Sequence, residues 1–269
     1  MLRFRPRAWL LTLLLLAAAP AGAETAPTQR ELGAAPAGLM WIGNSFFYYN
    51  NGITSHLGPM IQAAGRPAPR GTMITMGGSG FDWHDVDSYF RPDAVGRYRF
   101  DAQNVIHFNP PGTRPFDTAV LMDCSQCPLH PQLRDSFFAT GRRHAETVRR
   151  HGARPVFFMS WAYQDHPEMT AQLAEAYTTL GNETGALVIP AGLAFARALA
   201  QRPGLVLHIA DKRHPTLAGT YLAAATSYAA LFSASPESLS YTAGLEPELA
   251  GFLRRVAWET VQAYYRRGA

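Results

Sequence analysis

Three side chains in this 269-residue chain have the types and the order that a hydroxyl nucleophile requires. Ser45 follows Gly43-Asn44 directly after a short apolar run, and Asp211-Lys212-Arg213-His214 lies far downstream. A serine hydroxyl attacks a carbonyl only when a base takes its proton, and that base needs a carboxylate to fix its tautomer. Asp211 and His214 stand three apart, so one turn can present both to one site. His208, the nearest other histidine, sits within an apolar run with no acid at matching spacing and reads as a packing residue. Ser45 alone is a weak signal, because a serine after a turn can equally cap the next helix. Its company with Asp-x-x-His carries the reading.

The elements that must hold these groups alternate along the chain. Short apolar runs at Leu39–Ile42, Met73–Met76, Thr118–Met122, Pro155–Ser160 and Ala186–Ile189 predict strands, and Leu205–His208 predicts a short sixth. Helical spacing or composition marks 53–64, 133–151, 168–182, 191–201, 216–233 and 247–267. Strands alternating with helices predict an α/β fold: a three-layer α/β/α sandwich with a mostly parallel, flavodoxin-like doubly wound sheet of about five strands. Active groups in such sheets stand at the carboxyl ends of strands. Gly43-Asn44-Ser45, Gly78-Ser79-Gly80 and Cys124-Ser125-Gln126 all follow predicted strands. The segment 81–116 breaks the rhythm, with eight aromatic residues among Pro, Asp and Gly. It reads either as a binding loop or lid, or as a surface excursion pinned by its aromatics.

With these residues in view, the chain resembles the SGNH/GDSL hydrolase superfamily over roughly residues 38–233. "WIGNSFFYYNNGI" is similar to its first block, with Asn44 where an aspartate is commoner. "GGSGFD" resembles the second, whose glycine supplies an oxyanion-hole amide and maps to Gly80. "DKRHPTLAGTYLAA" resembles the last, an Asp-x-x-His leading into a helix. The third block departs: where the superfamily carries Gly-x-Asn-Asp, this chain has "MDCSQCP". Gln126 lies nearest in register to the missing asparagine and carries the same amide one methylene further out. The resemblance implies Ser45 as nucleophile, His214 as base and Asp211 as orienting acid. The amides of Ser45 and Gly80, helped by Gln126, would form the oxyanion hole, with no cofactor and no metal. Gln126 could equally be an exposed amide in a tight loop, and a Cys124–Cys127 bridge could fix its position.

Composition sets the rest. Arg3, Arg5 and Arg7, the apolar run Trp9–Ala19 and Ala21-Gly22-Ala23 predict a signal peptide over 1–23, too short for a typical membrane span. An uncleaved anchor is the alternative. Cleavage would remove three arginines and take the formal charge from +4 to +1. The remaining arginines lie in scattered pairs, which excludes a nucleic-acid stripe. Residues 24–37 read as a flexible mature N-terminus and 38–269 as a single hydrolase domain, exported to the periplasm or secreted. The two cysteines, Cys124 and Cys127, can oxidise in that compartment. Neither a thioredoxin-like context nor further zinc ligands accompany them. His84, Asp85 and Asp87 are adjacent acids and a base without a distant ligand partner. Asn44, Trp83, Trp161 and Gln164 are candidates to line a substrate pocket, although Trp161 and Tyr163 could only pack beneath the loop.

The expected activity is hydrolysis of a carboxylic ester through an acyl-enzyme, with a carbohydrate O-acetyl ester as the first substrate class. A lipid or small-molecule ester, acyl transfer on the same site, and a non-catalytic glycan-binding domain are the alternatives.

Overall fold

The structure, a computed structural model, describes residues 25–266. The expected signal peptide lies outside the described residues. In chain order the elements are β1 (Gly38–Gly43), α1 (Ser45–Tyr48), α2 (Ile53–Ala63), β2 (Arg70–Thr75), α3 (Val86–Tyr89), β3 (Tyr98–Phe100), β4 (Ile106–Phe108) and β5 (Thr118–Leu121). There follow α4 (Arg134–Arg150), β6 (Arg154–Phe158), α5 (Met169–Thr184), β7 (Leu187–Ile189), α6 (Ala191–Gln201), α7 (Leu217–Phe232) and α8 (Pro247–Arg266).

The main sheet has the order β2-β1-β5-β6-β7, and every pair in it is parallel. That is the expected flavodoxin-like doubly wound arrangement. The central strands β1 and β5 are buried at every residue, as a parallel sheet covered on both faces demands. From β1 the chain crosses to β2 on one side, and from β5 to β6 on the other. Right-handed crossovers therefore put α2 and α4 on opposite faces. α2 packs with α7, and α4 with α5. α7 is apolar nearly all round, and α8 covers the side the sheet does not.

The predicted sixth strand, Leu205–His208, is not one. Its only ladder contact is a lone antiparallel bridge between His208 and Pro215, and Val206 is exposed. The run instead returns on itself: Thr216 N–H donates to Leu207 O and Ile209 N–H to His214 O, both at 2.9 Å. Residues 25–37, expected to be flexible, are tied to the body. The Asn182 amide accepts from Thr28 N at 2.8 Å and donates to Ala26 O at 2.9 Å.

From the loop after β2, the 81–116 segment runs along α4 toward the amino end of the sheet. Phe81 packs on Phe137 in the first turn of α4, and Phe90 stacks on His151 just past its end. The β3–β4 hairpin then projects near Phe116, which leads into the amino end of β5; a Cβ on Gly96 would meet the Phe116 ring at 2.9 Å. A cavity of about 240 Å³ lies at this same end, bordered by Phe90, Arg97, Arg114, Phe116 and His151. Among the described residues no helix is long and apolar enough to cross a membrane.

Candidate active site

β1 neighbours β2 on one side and β5 on the other, so its carboxyl end is the point where strand order reverses, the usual ligand crevice of such sheets. Ser45 opens the helix that begins there. The turn is tight because Gly43 has no side chain: a Cβ would lie 2.9 Å from Phe47 and 3.2 Å from Met122. Asn44 caps α1, its Oδ1 accepting from Phe46 N at 3.2 Å. Its amide nitrogen donates to Ser79 O at 3.0 Å and Asp123 O at 3.1 Å. It is buried and fully engaged, so as a pocket-lining candidate Asn44 is corrected: it ties together the loops after β1, β2 and β5.

Asp211 and His214 meet Ser45 through a local turn. Lys212 adopts a left-handed conformation (φ 65°), which lets Asp211 fold back on its own chain. Its Oδ1 accepts from the amides of Arg213 and His214, both at 2.9 Å, the short-range pattern an aspartate favours. Oδ2 faces His214 Nδ1 at 2.5 Å, and His214 Nε2 lies 2.8 Å from Ser45 Oγ. Partial desolvation raises the Asp211 pKa, but the His214 ring and the two amides outweigh it and hold the carboxyl at about 2. An ionised carboxylate can only accept, so Nδ1 carries the proton and Nε2 offers its lone pair to the hydroxyl.

Aromatic packing holds this turn. Trp161, another pocket candidate, is fully buried and is likewise corrected. Its ring is stacked between Phe46 and Phe195, and its indole N–H donates to Arg213 O at 2.9 Å. Tyr49 stacks on the imidazole at 4.2 Å. The Asn50 amide donates to Pro215 O at 3.0 Å and to Thr220 Oγ1 at 2.8 Å. Tyr49 and Asn50 lie within the first block's own sequence, where neither aromatic nor amide distinguishes itself. Gln164 is exposed, with its backbone N–H donating to Lys212 O. Trp83 is 60% exposed, three residues beyond Gly80. His208 Nε2 donates to Ala162 O at 3.0 Å within the core, as a packing residue does.

The second-block loop is braced on every side. Ser79 Oγ donates to Gly43 O at 2.9 Å and meets His84 Nε2 at 3.0 Å, while Phe81 O is bound by His144 Nε2 at 2.8 Å. Burial drives the His84 pKa down to about 4, which keeps that ring neutral inside the network. With Tyr89 on its Nδ1, Asp85 capping Ser88 and Asp87 bonded to His151, the His84 group does not converge as a ligand set. Among the described residues the N–H groups of Ser45 and Gly80 have no hydrogen-bond acceptor.

The third block differs from expectation. Cys124 and Cys127 are bridged, and the closed turn carries Gln126 outward. The Gln126 side chain is exposed and borders a surface hollow with Leu129, His130, His166, Met169 and Gln172. Neither Ser45 nor Gly80 belongs to that lining, and the exposed side chain matches the reading of Gln126 as an amide in a tight loop. The inward position belongs to Asp123, which sequence reasoning passed over at the end of an apolar strand. Asp123 and the two sulfurs lie within 4.8 Å of one another, but bonded sulfurs cannot act as thiolate ligands.

No family model matches the chain, and neither does any curated protein sequence. Solved structures do. A DUF4886 family protein from Bacteroides uniformis is 17% identical, with a TM-score of 0.58 over 85% of this chain and 96% of its own. TesA is 14% identical, with a TM-score of 0.52 over 72% of this chain and 97% of its own. A catalytic mutant of Axe2, an acetylxylan esterase from Geobacillus stearothermophilus, is 14% identical, with a TM-score of 0.52 over 72% and 94%. The chain shares the α/β fold of these proteins. At these identities the likeness concerns the fold, and the chemistry has to be argued from the site itself.

Proposed function

We propose that this protein is an exported serine esterase that hydrolyses a carboxylic ester through an acyl-enzyme. The observation that carries the reading is the unbroken chain Asp211–His214–Ser45 at the switch point of the sheet, with both contacts at hydrogen-bond distance. His214 takes the Ser45 proton as Oγ attacks the ester carbonyl. The unengaged N–H groups of Ser45 and Gly80 stand ready to receive the oxyanion. His214 then protonates the leaving alcohol, and in the second half activates a water that releases the acid. Asp211 stays ionised throughout, because its carboxyl titrates near 2.

Carbohydrate O-acetyl esters are the substrate class we favour. An acetylxylan esterase shares the fold, and the exposed Trp83 ring, three residues beyond Gly80, offers a sugar-stacking face. Export is supported by the leader-like residues 1–23 and by a bridged cysteine pair, which persists in oxidising compartments.

The test is labelling with a fluorophosphonate followed by turnover of p-nitrophenyl acetate and acetylated xylan. Ser45 should label, and Ser45→Ala should abolish both labelling and turnover. A Ser45→Ala protein with full activity would overturn the reading. Labelling without turnover would point to acyl transfer, which added sugar acceptors would reveal.

A further inference from the structure

The third block lacks an asparagine to reach the oxyanion, yet one of its side chains grips the backbone that does. Asp123 is 3% exposed. A single carboxylate oxygen, Oδ1, accepts from Phe81 N at 2.8 Å and from Cys124 N at 2.7 Å. The first amide belongs to the residue directly after Gly80; the second belongs to the chain leaving β5. Contact is so close that a Cβ on Gly80 would lie 2.8 Å from Oδ1 and 3.4 Å from Cys127 Sγ. Asp123 is itself fixed, its carbonyl receiving the Asn44 amide at 3.1 Å and its N–H donating to the Tyr177 hydroxyl at 3.3 Å.

We propose that Asp123 is a positioning residue that holds the Gly80–Phe81 peptide so that the Gly80 N–H faces the carbonyl attacked by Ser45. This rests on the esterase reading above. Phe81 is clamped at both of its backbone groups, with N–H on Asp123 and C=O on His144. Gly80 therefore cannot turn about its own ψ without breaking a buried hydrogen bond. A preorganised donor costs no reorganisation when charge develops, and its misplacement lowers kcat rather than substrate affinity. The requirement is for an acceptor at Oδ1, not for a negative charge. The neutral acid and an asparagine both keep a carbonyl oxygen there.

The experiment compares Asp123→Asn with Asp123→Ala, using kcat and KM on p-nitrophenyl acetate, inhibition by a phenylboronic acid, and amide exchange of the peptide spanning Gly80–His84. Asp123→Ala should lose on the order of 10²-fold in kcat, as when an oxyanion donor is removed, with KM nearly unchanged. Boronate affinity should fall in parallel and exchange should quicken. Asp123→Asn should recover activity to within a few-fold and restore slow exchange. If Asp123→Ala does not fold, Asp123→Ser takes its place, since a hydroxyl on Cβ is too short to reach both amides. Wild-type kcat in the Ala or Ser variant would overturn the proposal, as would an Asn variant as impaired as they are. A wild-type protein without Ser45-dependent turnover would sink the esterase reading instead. The exchange comparison would still decide whether Asp123 holds this peptide.

Discussion

At the carboxyl end of the sheet, the loops after β1, β2 and β5 share buried polar partners. Asn44 joins all three, Ser79 reaches back to Gly43, and Asp123 grips Phe81 and Cys124. At the amino end, the 91–116 segment carries the β3–β4 hairpin with Tyr98, Phe100, Ile106 and Phe108 on one exposed face. The first end spends side-chain chemistry on fixing backbone; the second leaves large rings in solvent, touching mainly one another. Satisfied buried hydrogen bonds are cooperative and unforgiving of loss. Exposed surface is tolerant of it. Substitutions should therefore separate the two ends sharply.

The largest effect belongs to the imidazole. His214→Ala should lower kcat on p-nitrophenyl acetate by about 10⁴-fold or more, because it removes both proton transfers from one site. Thermal unfolding should move little, since the ring is partly exposed. A variant that kept a tenth of the activity would mean that another group serves as base.

Next comes the pH dependence of the bracing. Burial lifts the Asp123 pKa to about 7 against the two amides that lower it, with the nearby Asp82 charge adding to the rise. Between about pH 4 and 7 the folded chain thus keeps a proton that the unfolded chain, titrating near 3.9, has released. Stability from this group is greatest below pH 4 and declines as pH rises through 7, by on the order of 4 kcal/mol across the window. His84, held down to about 4, has the opposite slope, favouring the folded state as pH rises from 4 toward 6.5. Urea unfolding of wild type against Asp123→Asn cancels His84 and isolates Asp123. The Asn variant should gain on wild type from pH 4 to about 7 and level off above it, and a constant difference would refute the raised pKa.

How much of this was legible beforehand follows from the range of each interaction. Asp211 and His214 could be read because their geometry is a local turn, three residues wide, and Ser45 because strand, turn and helix leave a sequence trace. Asp123 could not be, because its partner amide comes from Phe81, 42 residues upstream, and a carboxylate ending an apolar run carries no mark of what it binds. Gln126 was chosen by chemistry, an amide near the right register. A bridged four-residue turn decides direction instead, and it sends that amide outward. The aromatics of 81–116 left a binding loop and a pinned surface excursion both open, because composition says nothing about which end of a sheet a segment visits.

Asn44 offers a test in which family resemblance and local geometry disagree. The superfamily commonly has aspartate here, so the resemblance alone makes Asn44→Asp benign. In this structure the amide nitrogen donates to two buried carbonyls, and a carboxylate can donate to neither. The substitution should cost roughly 2–4 kcal/mol, from two unsatisfied carbonyls and a buried charge. Denaturant midpoints measure this directly, and a neutral result would mean that the three loops hold without their shared partner.

The smallest effect is expected at the hairpin, and it is the one that most directly challenges the contrast. Tyr98→Ser, Phe100→Ser and Phe108→Ser each remove a ring that is half or more exposed, so each should change stability by only about 0.5 kcal/mol. The hairpin base sits by Phe116 at the amino end of β5, whereas Ser45 stands at the carboxyl end of β1. Turnover of p-nitrophenyl acetate by the triple variant should therefore stay within twofold of wild type. Acetylated xylan is the sharper substrate, because a polymer could span both ends where a small ester cannot. Equal retention of both activities would leave catalysis wholly with the cross-braced end. A loss confined to the polymer would make the exposed rings part of substrate capture, and the tolerant end would then owe its exposure to function rather than to the absence of any.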